Sequence, residues 1–265
     1  MNNSHMAEEI REEPITLKPV ELYVFLDPIH EKSWELQAII RKMQIEYGHY
    51  FSIRVILSAQ LMDLNRACKD PNVQAEEFSH PALPSVAVKA AELQGKRAGN
   101  RYLYKLQEYQ MLLNEDVSSY PTLMDIARSA RLDEQEFIQD FYSVHTARAF
   151  QCDLKITREM EIEEMPSIVF FNECIEDEGV KLSGLFPYEI YRTVLEEMLG
   201  GKEMERQEPP ALDELLKTYT SLTTREIADI YHVTEKAAEY ELKKQVLQQR
   251  VERILTPNET LWSLK

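Results

Sequence analysis

A continuous apolar run over residues 22–26 ends at Asp27-Pro28, and it limits the folds open to the chain more than any other feature of the sequence. Such a run is typical of a strand that is buried on both faces in the middle of a sheet. Apolar residues then recur at helical spacing over residues 33–47, and alternating apolar residues over 51–57 predict a second strand. Because the crossover between these strands must run through the helix, the chain is predicted to open with a β-α-β unit.

The strand signal is absent between residues 70 and 164, where helical periodicity predicts an all-helical block. Strands return at 167–172 and 180–183, joined by a turn at 176–179, and this pattern is typical of an antiparallel hairpin. A last helix is expected over 187–199, because proline suits its first turn and two glycines follow it. The helices predicted within the block cover residues 85–93, 97–113, 122–130 and 133–150, the last with an extension towards 160.

A change of composition divides the chain near residue 200. Residues 201–211 are rich in charged and polar side chains and contain Pro209-Pro210, which is the composition of an exposed linker. The expected order is a disordered or tag-containing N-terminus (1–16), a domain with a helical insertion (17–200, the insertion at about 65–150), a linker (201–211) and a small, mainly helical module (212–265).

The charge balance excludes several classes of function. The chain has 30 Lys and Arg against 46 Asp and Glu, a formal net charge of −16 at pH 7, which repels phosphate backbones and anionic lipid headgroups. We therefore expect no nucleic-acid partner. No apolar run approaches the ~20 residues that a bilayer-spanning helix needs, so no membrane partner is expected either. The 7 glycines lack the spacing of a phosphate-cradling loop, which argues against nucleotide chemistry, and no cofactor is expected.

Cysteine and histidine usage predicts a cytoplasmic protein without a metal site. Cys68, Cys152 and Cys174 are too scattered for a C-x-x-C motif and too few for a secreted disulfide framework. Whether Cys152 and Cys174 approach one another is left open by the sequence. The 6 histidines show no helical pairing with one another or with cysteine, so no metal is expected.

The predicted order of elements is similar to a thioredoxin fold interrupted by a helical insertion, as in a DsbA-type domain. In that fold the dithiol motif lies between the first strand and the first helix, where the helix N-terminus stabilises a thiolate. If Trp34 marks the residue after the second cysteine, His30 stands in place of the nucleophilic cysteine and Ser33 in place of the second. Because a hydroxyl cannot cycle through a disulfide, thiol–disulfide exchange is not expected there. Pro166 falls where such folds place a cis-proline.

Structural and chemical interpretations compete at each of these residues. His30 and Ser33 have a spacing that a nucleophile and its base can adopt, but a polar first helical turn with Ser33 close to the N-cap accounts for them more simply. Pro166 is expected to preserve the backbone shape, with strand addition of an extended peptide at the neighbouring edge as the alternative. Trp34 is expected to pack under the sheet. We therefore expect no catalytic residue.

The module over 212–265 looks like a winged-helix unit, because residues 223–237 have the helix, tight turn and second helix of a helix-turn-helix. It carries 8 basic side chains against 9 acidic ones, which is the opposite of the balance that DNA binding requires. We therefore favour protein docking or packing over DNA reading. The elements predicted in the module are helices over 212–219, 224–231 and 234–251 and an extended piece over 255–264.

Several short stretches carry a family resemblance: residues 21–28, Trp34, 90–95, 151–153, Pro166, 170–172, 176–179 and 197–200. Together they resemble the bacterial SpxH (YjbH) adaptors, from about residue 17 through the linker and more loosely through the module. The resemblance implies a cytoplasmic, non-enzymatic adaptor of DsbA-like fold that binds the transcription regulator Spx and presents it to the ClpXP protease. Family members with a C-x-x-C in this window differ from this chain, so delivery is not expected to depend on a dithiol here.

Three other functions stay open from the sequence. A thioredoxin-fold glutathione transferase or isomerase can use a serine in this window, but its working serine stands first, whereas Ser33 stands second. The others are a transcription factor acting through residues 212–265 and a redox enzyme using Cys152 and Cys174.

Overall fold

The computed structural model describes residues 18–58, 82–174 and 178–265. The predicted N-terminus at 1–16, part of the predicted insertion at 65–81, Cys68 and the turn residues 176–177 lie outside the described residues. The described chain contains a four-stranded sheet with helices and, towards its C-terminus, a three-stranded sheet.

The chain opens with the β-α-β unit that the sequence predicts. Strand β1 (Val20–Leu26) is followed by helix α1 (Glu31–Tyr47) and strand β2 (Phe51–Leu57), and the two strands pair in parallel along their whole length. β1 has β2 on one side and a later strand on the other, which explains why its apolar run is continuous. Helix α1 begins two residues earlier than the periodicity predicts, because the side chain of His30 caps it.

A block of helices follows in the described residues. The sequence predicts one helix over residues 133–150. This prediction is wrong because the helix is interrupted before Ser143 and a second helix begins after it. The Ser143 hydroxyl accepts a hydrogen bond from the Thr146 N–H at 3.1 Å and so begins a new helix. The helices of the block are α2 (Leu83–Leu93), α3 (Lys96–Met111), α4 (Tyr120–Ser129), α5 (Glu134–Phe141) and α6 (Val144–Glu159).

Strands β3 (Ser167–Asn172) and β4 (Val180–Ser183) form an antiparallel hairpin, and helix α7 (Tyr188–Met198) follows them. β3 also pairs antiparallel with β1, so the order of the sheet is β2-β1-β3-β4. The helical block is therefore inserted between the β-α-β half and the β-β-α half. This is the order of a DsbA-type, thioredoxin-like fold.

The main core lies on the face of the sheet that α1 and α7 cover. Leu22 of β1, Leu36 of α1 and Leu195 of α7 are fully buried in it, and burial of one such side chain contributes about 1.5–3 kcal/mol. The opposite face of the sheet buries Phe25, against which Ile156 of α6 packs. Helices on both faces thus hold the ends of β1 and β3 in fixed positions, and the candidate site lies at those ends.

The C-terminal module, residues 212–265, contains strands as well as the expected helices. Trp262 is fully buried in the core of the module, and its indole N–H donates a hydrogen bond to the Thr224 hydroxyl at 2.8 Å. Its sheet has the order β5-β7-β6. Its elements are α8 (Leu212–Tyr219), β5 (Ser221–Thr223), α9 (Thr224–Tyr231), α10 (Glu235–Leu247), β6 (Val251–Leu255) and β7 (Thr260–Leu264).

Two predictions for the module differ from the structure. The helix expected over 234–251 ends at Leu247, because Gln249 adopts a left-handed backbone conformation with φ 58° that a helix cannot contain. The extended piece expected over 255–264 is part of a hairpin that begins at Val251, and its strands β6 and β7 place Arg253 opposite Trp262. The hairpin provides the wing of a winged-helix arrangement.

A buried ion pair fixes the module against α1 and α3. The Arg41 guanidinium lies 2.5 Å from the Glu226 carboxylate, and the two side chains are only 3% and 9% exposed. The same guanidinium lies over the rings of Tyr104 and Tyr219, at 4.6 and 4.9 Å from the ring centroids. Because charges buried to this degree are strongly unfavourable unless they are paired, this contact specifies one position of the module.

Candidate functional site

The turn between β1 and α1 occupies the position at which a thioredoxin-like protein would carry its dithiol. The Asp27 carboxylate accepts a hydrogen bond from the Ile29 N–H at 3.1 Å, which closes the turn. His30 is the N-cap of α1, and its Nδ1 accepts a hydrogen bond from the Lys32 N–H at 3.1 Å. Nδ1 can accept this bond only when it carries no proton, so the imidazole of His30 serves as a helix cap in this geometry.

Ser33 points into the protein. Its side chain has no exposed surface, and its hydroxyl oxygen accepts a hydrogen bond from the Asp27 N–H at 3.3 Å. The serine therefore satisfies a buried backbone donor at the end of β1, and solvent does not reach its hydroxyl. The sequence placed Ser33 close to the N-cap, whereas the structure places it in the first turn of α1 and assigns the cap to His30.

Pro166 lies at the same end of the sheet as this turn. The antiparallel pairing of β1 with β3 sets Phe25 opposite Ser167. Pro166, the residue before Ser167, therefore lies beside the last residue of β1. The peptide bond between Met165 and Pro166 is cis. An ion pair between Lys32 and Glu164, at 3.3 Å, links the first turn of α1 to the segment before the proline. The structure therefore brings together the turn with His30 and Ser33 and the segment with Pro166.

Among the described residues, this end of the sheet holds a proline, an imidazole and a buried hydroxyl, and no thiol. Cys152 and Cys174, the two cysteines among the described residues, are exposed and free, and both lie outside the turn. In the described ranges, no group of three or more His, Cys, Asp or Glu side chains is arranged to hold a metal ion. The arrangement can present a shaped surface, but it has no pair of groups that could form and break a disulfide.

Trp34 does not pack under the sheet, contrary to the sequence interpretation. It is partly exposed and lines a cleft of about 230 Å³ between α1 and the C-terminal module. Tyr188 of α7 and Ile230 of α9 line the same cleft. The site thus lies next to a surface that both parts of the chain build, which the sequence could not show because these residues are far apart in the chain.

Glu46, at the C-terminal end of α1, joins three parts of the chain. Its carboxylate is 3% exposed, accepts a hydrogen bond from the Tyr188 hydroxyl and lies 2.8 Å from Nε2 of His232 and 3.1 Å from the guanidinium of Arg206. Burial and the hydrogen bond to Glu46 raise the pKa of Tyr188 well above its usual range, so the phenol keeps its proton. Sequence reasoning missed this contact because no local pattern marks partners separated by 186 residues.

Comparison with protein families agrees with the fold. The family model described as Thioredoxin matches residues 23–193, which is more than half of the chain. Among solved structures, a putative protein disulfide isomerase from Nitrosomonas europaea aligns over its whole length with 70% of this chain. The TM-score is 0.57 and the sequence identity is 16%. This likeness shows the fold. Within the described part of the chain, no helix is both long and apolar enough to span a membrane.

Sequence relatives cover nearly the whole chain. The ClpXP adapter protein SpxH of Shouchella clausii is 39% identical over 267 residues, covering 92% of this chain and 88% of the relative. The ClpXP adapter protein SpxH of Bacillus subtilis is 33% identical over 267 residues, covering 92% of this chain and 89% of the relative. Since both matches extend well beyond residue 193, they include the C-terminal module as well as the thioredoxin-like part.

Proposed function

Because the chain belongs to the SpxH family of ClpXP adapter proteins, we propose that it is a non-enzymatic adaptor that binds the regulator Spx and promotes its degradation by the ClpXP protease. The observation that carries the proposal is identity of 33–39% over 92% of the chain, which extends through both the thioredoxin-like domain and the C-terminal module. ClpXP is reached through the delivered client.

The site supports a role without bond chemistry. Ser33 is fully buried and accepts a hydrogen bond from the Asp27 N–H, and the His30 imidazole caps α1. A glutathione transferase or isomerase needs a hydroxyl that its substrate can reach, and Ser33 does not offer one. The scaffold of a thiol–disulfide enzyme is therefore used here for its shape.

Charge supports the recognition of a protein partner. The chain has 46 acidic and 30 basic residues, and this negative charge attracts a client with a basic face. The attraction raises the rate of association more than the final affinity. The same charge opposes nucleic acid and anionic membranes as partners.

We place the adaptor in the cytoplasm, and the two exposed free cysteines, Cys152 and Cys174, are in keeping with a reducing compartment.

A reconstituted degradation assay tests this function. Purified Spx is incubated with ClpXP and ATP, with and without the purified chain, and the disappearance of Spx is followed over time. We expect the chain to bind Spx and to accelerate its degradation, while an unrelated ClpXP substrate in the same tube is degraded at an unchanged rate. If the chain does not bind Spx, or if the rate of Spx degradation is the same with and without the chain, the proposed function is wrong.

A further inference from the structure

A deep groove lies beside the sheet, away from the turn with His30 and Ser33. It has a volume of about 820 Å³, within the range of about 300–1,000 Å³ that is usual for ligand sites in proteins. Its walls come from β1, β2 and α1 on one side and from α2, α3 and the middle of α6 on the other. It is therefore built on rigid elements of the thioredoxin-like domain and of its helical insertion.

The groove runs along the edge strand β2. In the described chain β2 is the first strand of the order β2-β1-β3-β4, so only its β1 side has a strand partner. Four consecutive residues of β2, 52–55, line the groove, and four residues of extended chain span about 13 Å. An edge strand presents backbone N–H and C=O groups that a further strand can pair with.

Gln37 lines the groove and carries an unpaired hydrogen-bond donor. It projects from α1, is 5% exposed, and its side-chain Nε2 atom is buried with no hydrogen-bond partner. A buried donor without an acceptor costs about 1–3 kcal/mol, and this cost is removed when a ligand supplies a carbonyl oxygen. The main chain of an extended peptide offers carbonyl oxygens at regular intervals along a strand.

The charges deep in the groove are already paired. The Lys89 ammonium lies 2.7 Å from the Asp153 carboxylate and 2.8 Å from Glu92, so these groups need no charged ligand. Apolar surface is available beside them, since Ile53 and Leu93 line the groove and Leu93 is 47% exposed. Glu21, Arg54 and Lys96 also line the groove and are exposed, so its rim is charged while the wall at Ile53 and Leu93 is apolar.

We propose that this groove binds an extended segment of the client protein, apolar on the side that faces Ile53 and Leu93, which adds as a strand to the edge of β2 and accepts a hydrogen bond from Gln37. The inference rests on the proposed adaptor function and gives that function a docking surface. Main-chain pairing with β2 provides affinity, and the apolar wall selects side chains on one face of the segment. The client is held on the thioredoxin-like domain without any contact to His30 or Ser33.

A pair of glutamine variants tests the role of Gln37. Gln37→Met keeps the size of the side chain and removes the unpaired donor, and Gln107→Met is the matched control. Gln107 is also fully buried with an unpartnered amide, but it lies on α3 and does not line the groove. We expect both variants to be at least as stable as the unaltered chain in thermal unfolding, because each loses a buried unpaired amide.

The binding of purified Spx, measured by calorimetry, then distinguishes the two positions. We expect Gln37→Met to weaken Spx binding about three- to tenfold, the value of one hydrogen bond, and Gln107→Met to leave it unchanged. Unchanged binding by Gln37→Met would overturn the inference and leave the adaptor function standing. If the unaltered chain bound no Spx, the proposed function would fail, and the inference with it.

Photo-crosslinking identifies the occupant of the groove directly. A benzophenone side chain is placed at Leu93, at the groove, and in a second preparation at Tyr142, which is 70% exposed and lies outside the groove. In the complex with Spx, we expect the probe at Leu93 to crosslink one continuous stretch of Spx and the probe at Tyr142 to crosslink none. Crosslinks from Leu93 to residues 1–17 or 59–81 of the same chain, or equal crosslinking from both positions, would overturn the inference.

Discussion

Replacing Arg41 by methionine removes the cation that neutralises the buried Glu226 and keeps an apolar side chain against Tyr104 and Tyr219. The ion pair is 2.5 Å long and both side chains are less than a tenth exposed, so the remaining carboxylate cannot be solvated without moving the module. Loss of one partner from such a pair costs about 3–5 kcal/mol. Glu226 keeps the hydrogen bond from the Thr223 N–H at 2.9 Å, which places the expected cost near the lower end, at about 3 kcal/mol.

Urea unfolding followed by tryptophan fluorescence measures this loss. The chain has 2 tryptophans: Trp34 on α1 and Trp262 in the core of the module, so both sides of the contact are observed. The double variant Arg41→Met with Glu226→Gln removes both charges and retains hydrogen bonding at residue 226. We expect it to recover most of the stability that the single variant loses, because an uncompensated charge causes most of the cost. A loss below about 1 kcal/mol for Arg41→Met, the value of an exposed pair, would refute this reasoning. So would a double variant as unstable as the sum of the two single variants.

Three further predictions concern stability. Ser33→Ala removes the hydroxyl that accepts a hydrogen bond from the buried Asp27 N–H, and it is expected to cost about 1–3 kcal/mol in urea unfolding while Spx delivery is retained. Loss of delivery by the folded variant would contradict the structural role of the hydroxyl. Ser143→Ala removes the N-cap of α6 and is expected to cost about 1 kcal/mol by the same measurement, whereas unchanged stability would argue against the cap. Burial raises the pKa of Tyr219 to about 12, so the folded state favours the protonated phenol. Its contribution to stability is complete below the unfolded pKa of about 10 and is lost as the pH rises towards about 12. The Tyr219→Phe variant should lose less unfolding free energy over this pH range than the unaltered chain. An equal loss in both proteins would contradict the prediction.

Local periodicity was sufficient to predict much of the thioredoxin-like part. The bounds of β2, β3 and β4 are those that alternation and turn residues predict, because each strand is flanked by residues that end it. Helices α8 and α9 also begin and end where predicted. In α9 the reason is specific, since Thr223 and Glu226 form a capping box that can be read from the sequence.

The remainder depends on features that local periodicity does not encode. Residues 248–250 are good helix formers, so the pattern continued the helix to 251, and only the backbone conformation of Gln249 shows where it ends. The periodicity predicts one long helix through Ser143, because a serine marks an N-cap only when the chain before it turns. The contacts of Glu46 and Arg41 join residues about 185 positions apart, and no pattern along the chain predicts such pairs.

At the candidate site the sequence predicted the position of the turn but not the role of each residue. His30 and Ser33 could be placed from Trp34 and the order of elements, whereas the direction of the Ser33 hydroxyl depends on where α1 begins. That start is fixed by the bond from the Lys32 N–H to the His30 imidazole, a less common cap than serine or aspartate. The prediction that Trp34 packs under the sheet is wrong because the other wall of its cleft belongs to the C-terminal module, almost 190 residues further along the chain.

The central claim is that this thioredoxin-like scaffold delivers a client by its shape, without thiol chemistry. It is tested most directly by a variant in which Cys68, Cys152 and Cys174 are all replaced by serine, compared with the unaltered chain in ClpXP degradation of Spx, with and without reductant. The account predicts the same acceleration of Spx degradation by both proteins under both conditions. Loss of the acceleration in the folded cysteine-free variant would contradict it.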